Sequence, residues 1–319
     1  MISPKRLSFF SFAILFAAMC AAQYVQAQQP PVRVRPLFSS PKASVMQTIG
    51  VTDISITYSR PAMKGRTIFA DAPAAMETRA KGESTLDNQN ERKQGEPIVP
   101  YHHVWRAGAN DATVFQVSDD VLVNGQQLKA GTYSLHAVPG KDEWTIIFNS
   151  DAGQWGSFTY DSKKDTLRVK TQPHPASENQ ESLIYTFDPV SENSATVNIR
   201  WEKLRVPFTI EVKDVKALWR AKADAVMAAN PANEGLPLQA AQTYAGDKNW
   251  DEALKLVDQS IKIKETFRNL SAKTNLLWAA GRKEEALKVG DAAIAKGKTE
   301  NANTAAFEKR IADMKAGKV

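Results

Sequence analysis

Residues 98–149 open with Ile98-Val99-Pro100-Tyr101 and run through Val104-Trp105-Arg106-Ala107-Gly108-Ala109-Asn110-Asp111. They continue through Gly131-Thr132-Tyr133-Ser134-Leu135 to Trp144-Thr145-Ile146-Ile147-Phe148-Asn149. Short runs of β-branched and aromatic residues alternate here with turn residues, the pattern of strands joined by tight connections. Thr113–Val117 is one strand, and Val121 and Val123 lead into Asn124-Gly125, a hairpin signal. Leu128 to Leu135 returns through Gly131, and Trp144–Phe148 follows the Pro139-Gly140 turn. Gly108 and Asn110 suit turns with positive φ.

The pattern extends in both directions. Val45, Gln47 and Ile49, then Ile54, Ile56 and Tyr58, alternate as half-buried strands do, with Gly50 to Asp53 as the hairpin turn. Downstream, Phe158–Tyr160, Leu167–Thr171, Leu183–Phe187, Ala195–Trp201 and Val206–Val212 read as further strands. Short strands with turns every 8–12 residues or so predict an antiparallel β-sandwich or barrel over 43–213. Residues 70–97 interrupt it as a long polar loop with a short helix at 72–80, either a lid over a site or a mobile insertion.

At Asp214 the period changes. Leu218, Ala221, Ala225 and Val226 make a helical stripe, broken at Pro231 to Pro237. Trp250-Asp251-Glu252-Ala253-Leu254 then returns as Lys283-Glu284-Glu285-Ala286-Leu287, an offset of 33 residues. The predicted class is therefore α+β, with the β domain followed by a helical-hairpin stack over 214–319.

The N-terminus has a different chemistry. Lys5 and Arg6 precede the apolar run Leu7–Met19, and Val25-Gln26-Ala27 follows, the order of a cleavable signal peptide over 1–27. The run is shorter than the roughly 20 residues a spanning helix needs, so no membrane span is expected after cleavage. Residues 28–42, with Pro30, Pro31, Pro36 and Pro41, read as a linker. Export to the periplasm or beyond is the expectation. The single cysteine, Cys20, lies in the leader, so the mature fold has no disulfide to use. Loss of Lys5 and Arg6 leaves 39 basic residues against 35 acidic ones, a diffuse +4 that does not argue for nucleic acid.

No nucleophile elbow, phosphate loop, zinc spacing or dinucleotide fingerprint occurs, and no cofactor is expected. His102 and His103 are adjacent and would face opposite ways on a strand, and no acid stands at ligand spacing from any histidine, so no metal is expected. Ser134 and His136 share one strand face, and Asp111 or Asp165 could complete a triad only through folding. Binding suits the chain better than bond breaking. The predicted site gathers Arg60, Arg66, Trp105, Arg106 and Asn110 at one end of the sandwich, where guanidinium groups would favour an anionic or heavily hydroxylated ligand. Trp105 and Trp144 also fit core positions, and Arg106 could equally hold the loop through backbone carbonyls.

Several unusual words recur in order across roughly 40–214: Tyr58-Ser59-Arg60-Pro61, Lys64-Gly65-Arg66-Thr67-Ile68-Phe69, Pro100-Tyr101 to Asn110, Ala130 to Leu135, Trp144 to Asn149, Trp155-Gly156 and Tyr160-Asp161. In these the chain resembles the domain of unknown function 2911, a bacterial family. The resemblance implies export and an all-β domain, and no particular chemistry. The 70–97 insertion and the tail depart from the family's shorter members. Gly281-Arg282-Lys283-Glu284-Glu285-Ala286 resembles the turn and second-helix start of tetratricopeptide repeats, although the terminal prolines of that repeat are missing. The expected function is an exported binding or interaction protein with a protein or glycan partner. A hydrolase of an envelope polymer is the alternative.

Overall fold

The computed structural model describes residues 37–71, 85, 87 and 95–318. The leader expected at 1–27, most of the linker and most of the 70–97 insertion, with its short helix, lie outside the described residues.

The alternating segments form β1 (Lys42–Ile49), β2 (Thr52–Ser59), β5 (Thr113–Val117), β8 (Gly131–Val138), β9 (Trp144–Asn149) and β10 (Asp165–Thr171). These six make one antiparallel sheet in the order β1-β2-β5-β8-β9-β10. A second antiparallel sheet orders β11 (His174–Val190), β12 (Ser194–Glu211), β6 (Val121–Val123) and β7 (Gln126–Leu128). A short parallel pair, β3 (Phe69–Ala70) and β4 (Val99–Pro100), completes the β part. The two main sheets are not closed into a barrel, so the architecture is a sandwich.

The alternation explains the layering, because successive side chains point to opposite faces. Ile54, Ile56, Phe115, Leu135, Ile146 and Phe148 meet Val197, Ile199, Phe208 and Ile210 in one buried core. Trp105, Trp144 and Trp201 join it around Phe69. Asn124 and Gly125 have φ of 45° and 79°, which gives the β6–β7 hairpin its two-residue turn.

Two expectations need correction. Phe158–Tyr160 is turn rather than strand. Ala195–Trp201 and Val206–Val212 are parts of one continuous strand through Glu211, because Glu202 to Arg205 contains no turn former. The chain instead bulges there, with Glu202 at φ 53° and a shifted register against β11.

Six helices follow among the described residues: α1 (Val215–Ala229), α2 (Gly235–Gly246), α3 (Trp250–Ile263), α4 (Phe267–Ala279), α5 (Lys283–Thr299) and α6 (Ala305–Lys315). The Asp214 carboxylate caps α1 by accepting from the Ala217 amide at 2.8 Å. The expected break at Pro231 to Pro237 is shorter than predicted. Pro237 stands in the first turn of α2, where a missing N–H leaves no intrahelical bond unmade. The repeated words begin α3 and α5, and a second core forms around Leu238, Ala241, Val257 and Leu277. No described helix is long and apolar enough to cross a membrane.

Helix α1 is tied to the sandwich. Val215 packs against the β1–β2 turn, where a Cβ on Gly50 would fall 2.2 Å from Val215 Cγ1. The Lys222 ammonium donates to Val51 O at 2.9 Å and to Asp119 Oδ2 at 2.7 Å. The Asp119 side chain is only 12% exposed. Lys222→Met should therefore lower stability by about 1–3 kcal/mol, the range for leaving a partly buried charged group short of a partner. Urea unfolding of the full chain at neutral pH measures it.

Candidate functional site

The outer face of the six-stranded sheet carries a polar row where an apolar one would need covering. Ser44, Thr57, Val114, Ser134, Asn149 and Asp165 stand opposite one another across all six strands. The one apolar member, Val114, sits near the middle. Ser44 Oγ and Thr57 Oγ1 are 3.1 Å apart at one end, and the Asn149 amide donates to Asp165 Oδ1 at 2.8 Å at the other. Over the second half of the row, Gln154 reaches Ser134, the Asp161 carbonyl takes the Asn149 amide and Tyr160 reaches Asp165.

Beneath that cover, His136 Nε2 lies 3.1 Å from Ser134 Oγ, and Gln154 Nε2 donates to the same hydroxyl at 3.2 Å. Ser134 and His136 are fully buried. Tyr160, whose ring is 5.0 Å from the imidazole, donates its hydroxyl to Asp165 Oδ2 at 2.7 Å. Arg168 Nε donates to the same oxygen at 2.6 Å. Burial pushes the His136 pKa from 6.5 to about 4, although Asp165 and Asp87 pull the other way and Arg106 adds to the depression. Burial, aided by Asp165, raises the Tyr160 phenol well above its ordinary value. His136 Nδ1 and Gln154 Oε1 are buried with no hydrogen-bond partner among the described residues.

Asp87 closes the cluster. Its side chain is 2% exposed and accepts from Arg106 Nη2 at 2.6 Å, from the Ser157 amide at 2.5 Å and from Ser157 Oγ at 2.6 Å. Gly156 lies directly over the pair. It has φ 63°, and a Cβ there would come within 2.9 Å of Asp87 Oδ2 and 3.0 Å of Arg106 Nη1.

The predicted site residues are near one another but face different ways. Arg106 Nη1 donates to Asn110 O at 2.8 Å, and the Asn110 amide donates to Ser40 O and Ser59 Oγ at 3.1 and 3.2 Å. Asn110 has the expected positive φ, 58°, but Ala107 at 49° takes the place predicted for Gly108. That strained carbonyl is held by Tyr185 Oη at 2.7 Å and Thr113 Oγ1 at 2.9 Å. Gly108 is needed for space instead, since a Cβ would fall 2.7 Å from Thr113 Oγ1. Trp105 is 3% exposed, donates Nε1–H to Gly108 O and stacks near Trp201, so its ring faces belong to the core. Arg60 Nε turns to Leu183 O on β11, and Arg66 holds Met63 O and Ala62 O. All three guanidinium groups thus engage this chain's own acceptors.

The opening lies beside them. A cavity of about 120 Å³ is lined by Lys42, Thr57, Ser59, Asp111, Gly153 and Gln154, among others. Ala112 N bonds Gln154 O and Gly156 N bonds Asn110 O, so Asp111 and Trp155 form a close antiparallel pair with side chains on one side. Lys42 and Asp111 are 3.6 Å apart, their side chains 56% and 52% exposed. Trp155 is 48% exposed. Among the described residues, no group of three or more potential metal ligands occurs.

The words that carry the sequence resemblance therefore meet in space, with Ser59, Arg106, Asn110, Ser134, Asn149, Gly156 and Tyr160 all in or beside this cluster. A family model described as a protein of unknown function (DUF2911) matches residues 40–210. The chain belongs to the DUF2911 family. The match ends within β12, so it spans the sandwich and leaves the helices outside. No curated protein matches the chain.

For a DUF2911 domain, the Ser134–His136 pair is the part that alternation made visible. Asp87 and Lys42 were missed because one sits in an uninformative polar stretch and the other at the edge of a Pro-rich lead-in. Gln154 carried no signal beyond the word that follows it.

Arg106→Ala should destabilise the domain by about 3–5 kcal/mol, because it strands a buried carboxylate; thermal unfolding reads this directly. A second expectation concerns pH. The folded state holds His136 neutral, so its contribution is present above the unfolded pKa of 6.5 and is lost as pH falls toward 4. The loss is roughly 3 kcal/mol at about 1.4 kcal/mol per unit. Urea unfolding between pH 7.5 and 4.5 should show this slope, and His136→Gln should flatten it.

Proposed function

We propose that this chain is an exported binding protein whose β-sandwich holds a polar group of its ligand in the cavity beside Asp111. The helical tail is a degenerate tetratricopeptide-like stack that packs on the sandwich. The order of charge, apolar run and small residues over 1–27 supports export. The 33-residue offset, with α3 and α5 starting on the repeated words, supports the tail reading.

One observation carries the binding reading. Polar side chains from sequence-distant segments converge on an open cavity, and the cavity rests on a rigid, hydrogen-bonded floor. At about 120 Å³ it is well below the roughly 300–1,000 Å³ of sites that enclose a whole small molecule, so it suits a projecting group. The hydrolase alternative has the Ser134–His136 contact in its favour. Both groups are sealed from solvent, however, and the ring nitrogen that an orienting acid would hold has no partner among the described residues.

Gly153→Leu tests the binding reading, because a Cβ at 153 meets nothing within 4 Å and the added chain fills the cavity from its wall. A ligand found by thermal shift should stabilise wild type by about 2.7 kcal/mol at a concentration near 100 times its Kd. The variant should melt like wild type without ligand and lose that shift. An unchanged shift in Gly153→Leu overturns the reading.

A further inference from the structure

We infer that β1 is an interaction edge, where a second copy of this chain adds its own β1 antiparallel, across a twofold axis at Val45, and makes the two six-stranded sheets continuous. This goes beyond the cavity beside Asp111. The phase of the strand fixes which groups it offers. Arg60 N bonds Pro41 O at 2.8 Å, and Lys42 stands opposite Ser59 and Ile49 opposite Thr52. Ala43, Val45, Gln47 and Ile49 are therefore the residues bonded to β2, because bonded and non-bonded pairs alternate along an antiparallel ladder. Lys42, Ser44, Met46 and Thr48 turn their N–H and C=O groups outward. Among the described residues, the one bond received there is at the Thr48 carbonyl, from Gln47 Nε2 at 2.9 Å, and that oxygen keeps a second lone pair.

The other edges of the two main sheets carry the devices that prevent such pairing. β10 bulges between Asp165 and Leu167, bears Arg168 and Lys170, and gives its Lys170 carbonyl to Asn124. β11 breaks register against β12, contains Pro175 and Pro189, and is bonded on its far side through Met63 N to Glu181 O and Leu183 N to Pro61 O. β7 is three residues long. β1 keeps one register over eight residues with no proline and no bulge, and Met46 on it is 59% exposed. Ala43 and Val45 point inward and pack against the core, yet both are only half-buried.

Charge selects a copy of the same strand as the occupant. Between residues 42 and 59 the charged side chains are Lys42 and Asp53. With Val45 on the axis, Lys42 lies opposite Thr48 of the copy, whose hydroxyl donates to Asp53 on the next strand at 2.7 Å. Lys42 and the copy's Asp53 are then about 10 Å apart at Cα, two strand spacings, which a lysine stem spans. Symmetry repeats the pair, and no like charges stand opposite each other. Lys42 is now 3.6 Å from Asp111 with its side chain 56% exposed, so it gives up little by turning. On the inner face Val45 meets its copy as a close, non-hydrogen-bonded pair, which covers apolar surface that one chain leaves half open.

The experiment is sedimentation velocity of the full chain, freed of residues 1–27, from about 1 to 200 µM, the range in which a small interface assembles. Wild type should pass from monomer to dimer. Met46→Pro removes an outward N–H and no bond to β2, so it should melt like wild type and stay monomeric. Lys42→Glu should weaken the dimer about tenfold, and Lys42→Glu combined with Asp53→Lys should restore it. Residues 28–319 contain no cysteine, so Val45→Cys gives a clean cross-link. It should oxidise to a disulfide-linked dimer, since Cα atoms about 4.5 Å apart lie within the reach of that bond, and Gln47→Cys should not. A chain that stays monomeric to about 200 µM overturns the inference. A dimer that Met46→Pro leaves intact, or that Val45→Cys fails to cross-link, also overturns it by placing the interface elsewhere. If Met46→Pro does not fold, the charge exchange and the cross-link decide.

Discussion

A carboxylate taken out of water must be compensated where it lies, and Asp87 obliges three segments to meet. Arg106 comes from the loop before β5, Ser157 from the loop after β9, and Asp87 itself from the long excursion between β3 and β4. Arg106 in turn fixes the Asn110 carbonyl, which also takes the Gly156 amide. Asn110 then reaches Ser59 and Ser40. The cavity wall, the Trp155 pairing and the seal over His136 all depend on this chain of bonds. None of them is a product of the apolar core, which lies on the other side of the sheet.

The layering was legible because it depends on alternation alone. Ile54 and Ile56 facing Phe115 and Leu135, and the Asn124-Gly125 turn, follow from period and turn chemistry with no knowledge of partners. So did the passage to helix after Asp214. The site was only half legible, and the reason is physical. A guanidinium beside a Gly-Asn turn serves a ligand or a backbone carbonyl with the same donors, and the choice depends on which acceptors folding brings within 3 Å. For Arg66 those acceptors are carbonyls three and four residues back, and for Arg60 the Leu183 carbonyl on β11. Asp87 could not be picked out, since nothing local distinguishes a latch from the solvated acids around it.

The same bonds bear on the choice between the proposed binding role and a hydrolase. A serine and a histidine in contact are necessary for nucleophilic catalysis, but the substrate must reach the hydroxyl and the imidazole must be oriented from behind. Here the hydroxyl is covered by Gln154 and the ring by Tyr160 and Asp165. In this conformation the hydroxyl and the imidazole bond to each other, under Gln154 and Tyr160.

The pairing of Ile210 with Val123 has a bearing on how the chain comes into being. The strand that closes the second sheet lies almost ninety residues after its partner, so the growing polypeptide must carry its sandwich unfinished until Glu211 has emerged. Until then β6 has no partner on its β12 side and the inner faces of β5 and β8 lack most of their opposing layer, so both are open to any chaperone or to a neighbouring copy. The helices come last and pair with neighbours close in sequence, which is the quick kind of folding. Their first turn sets Val215 against the β1–β2 corner, which the earliest described strands build. The first helix thereby ties a late segment of the described chain to its earliest strands.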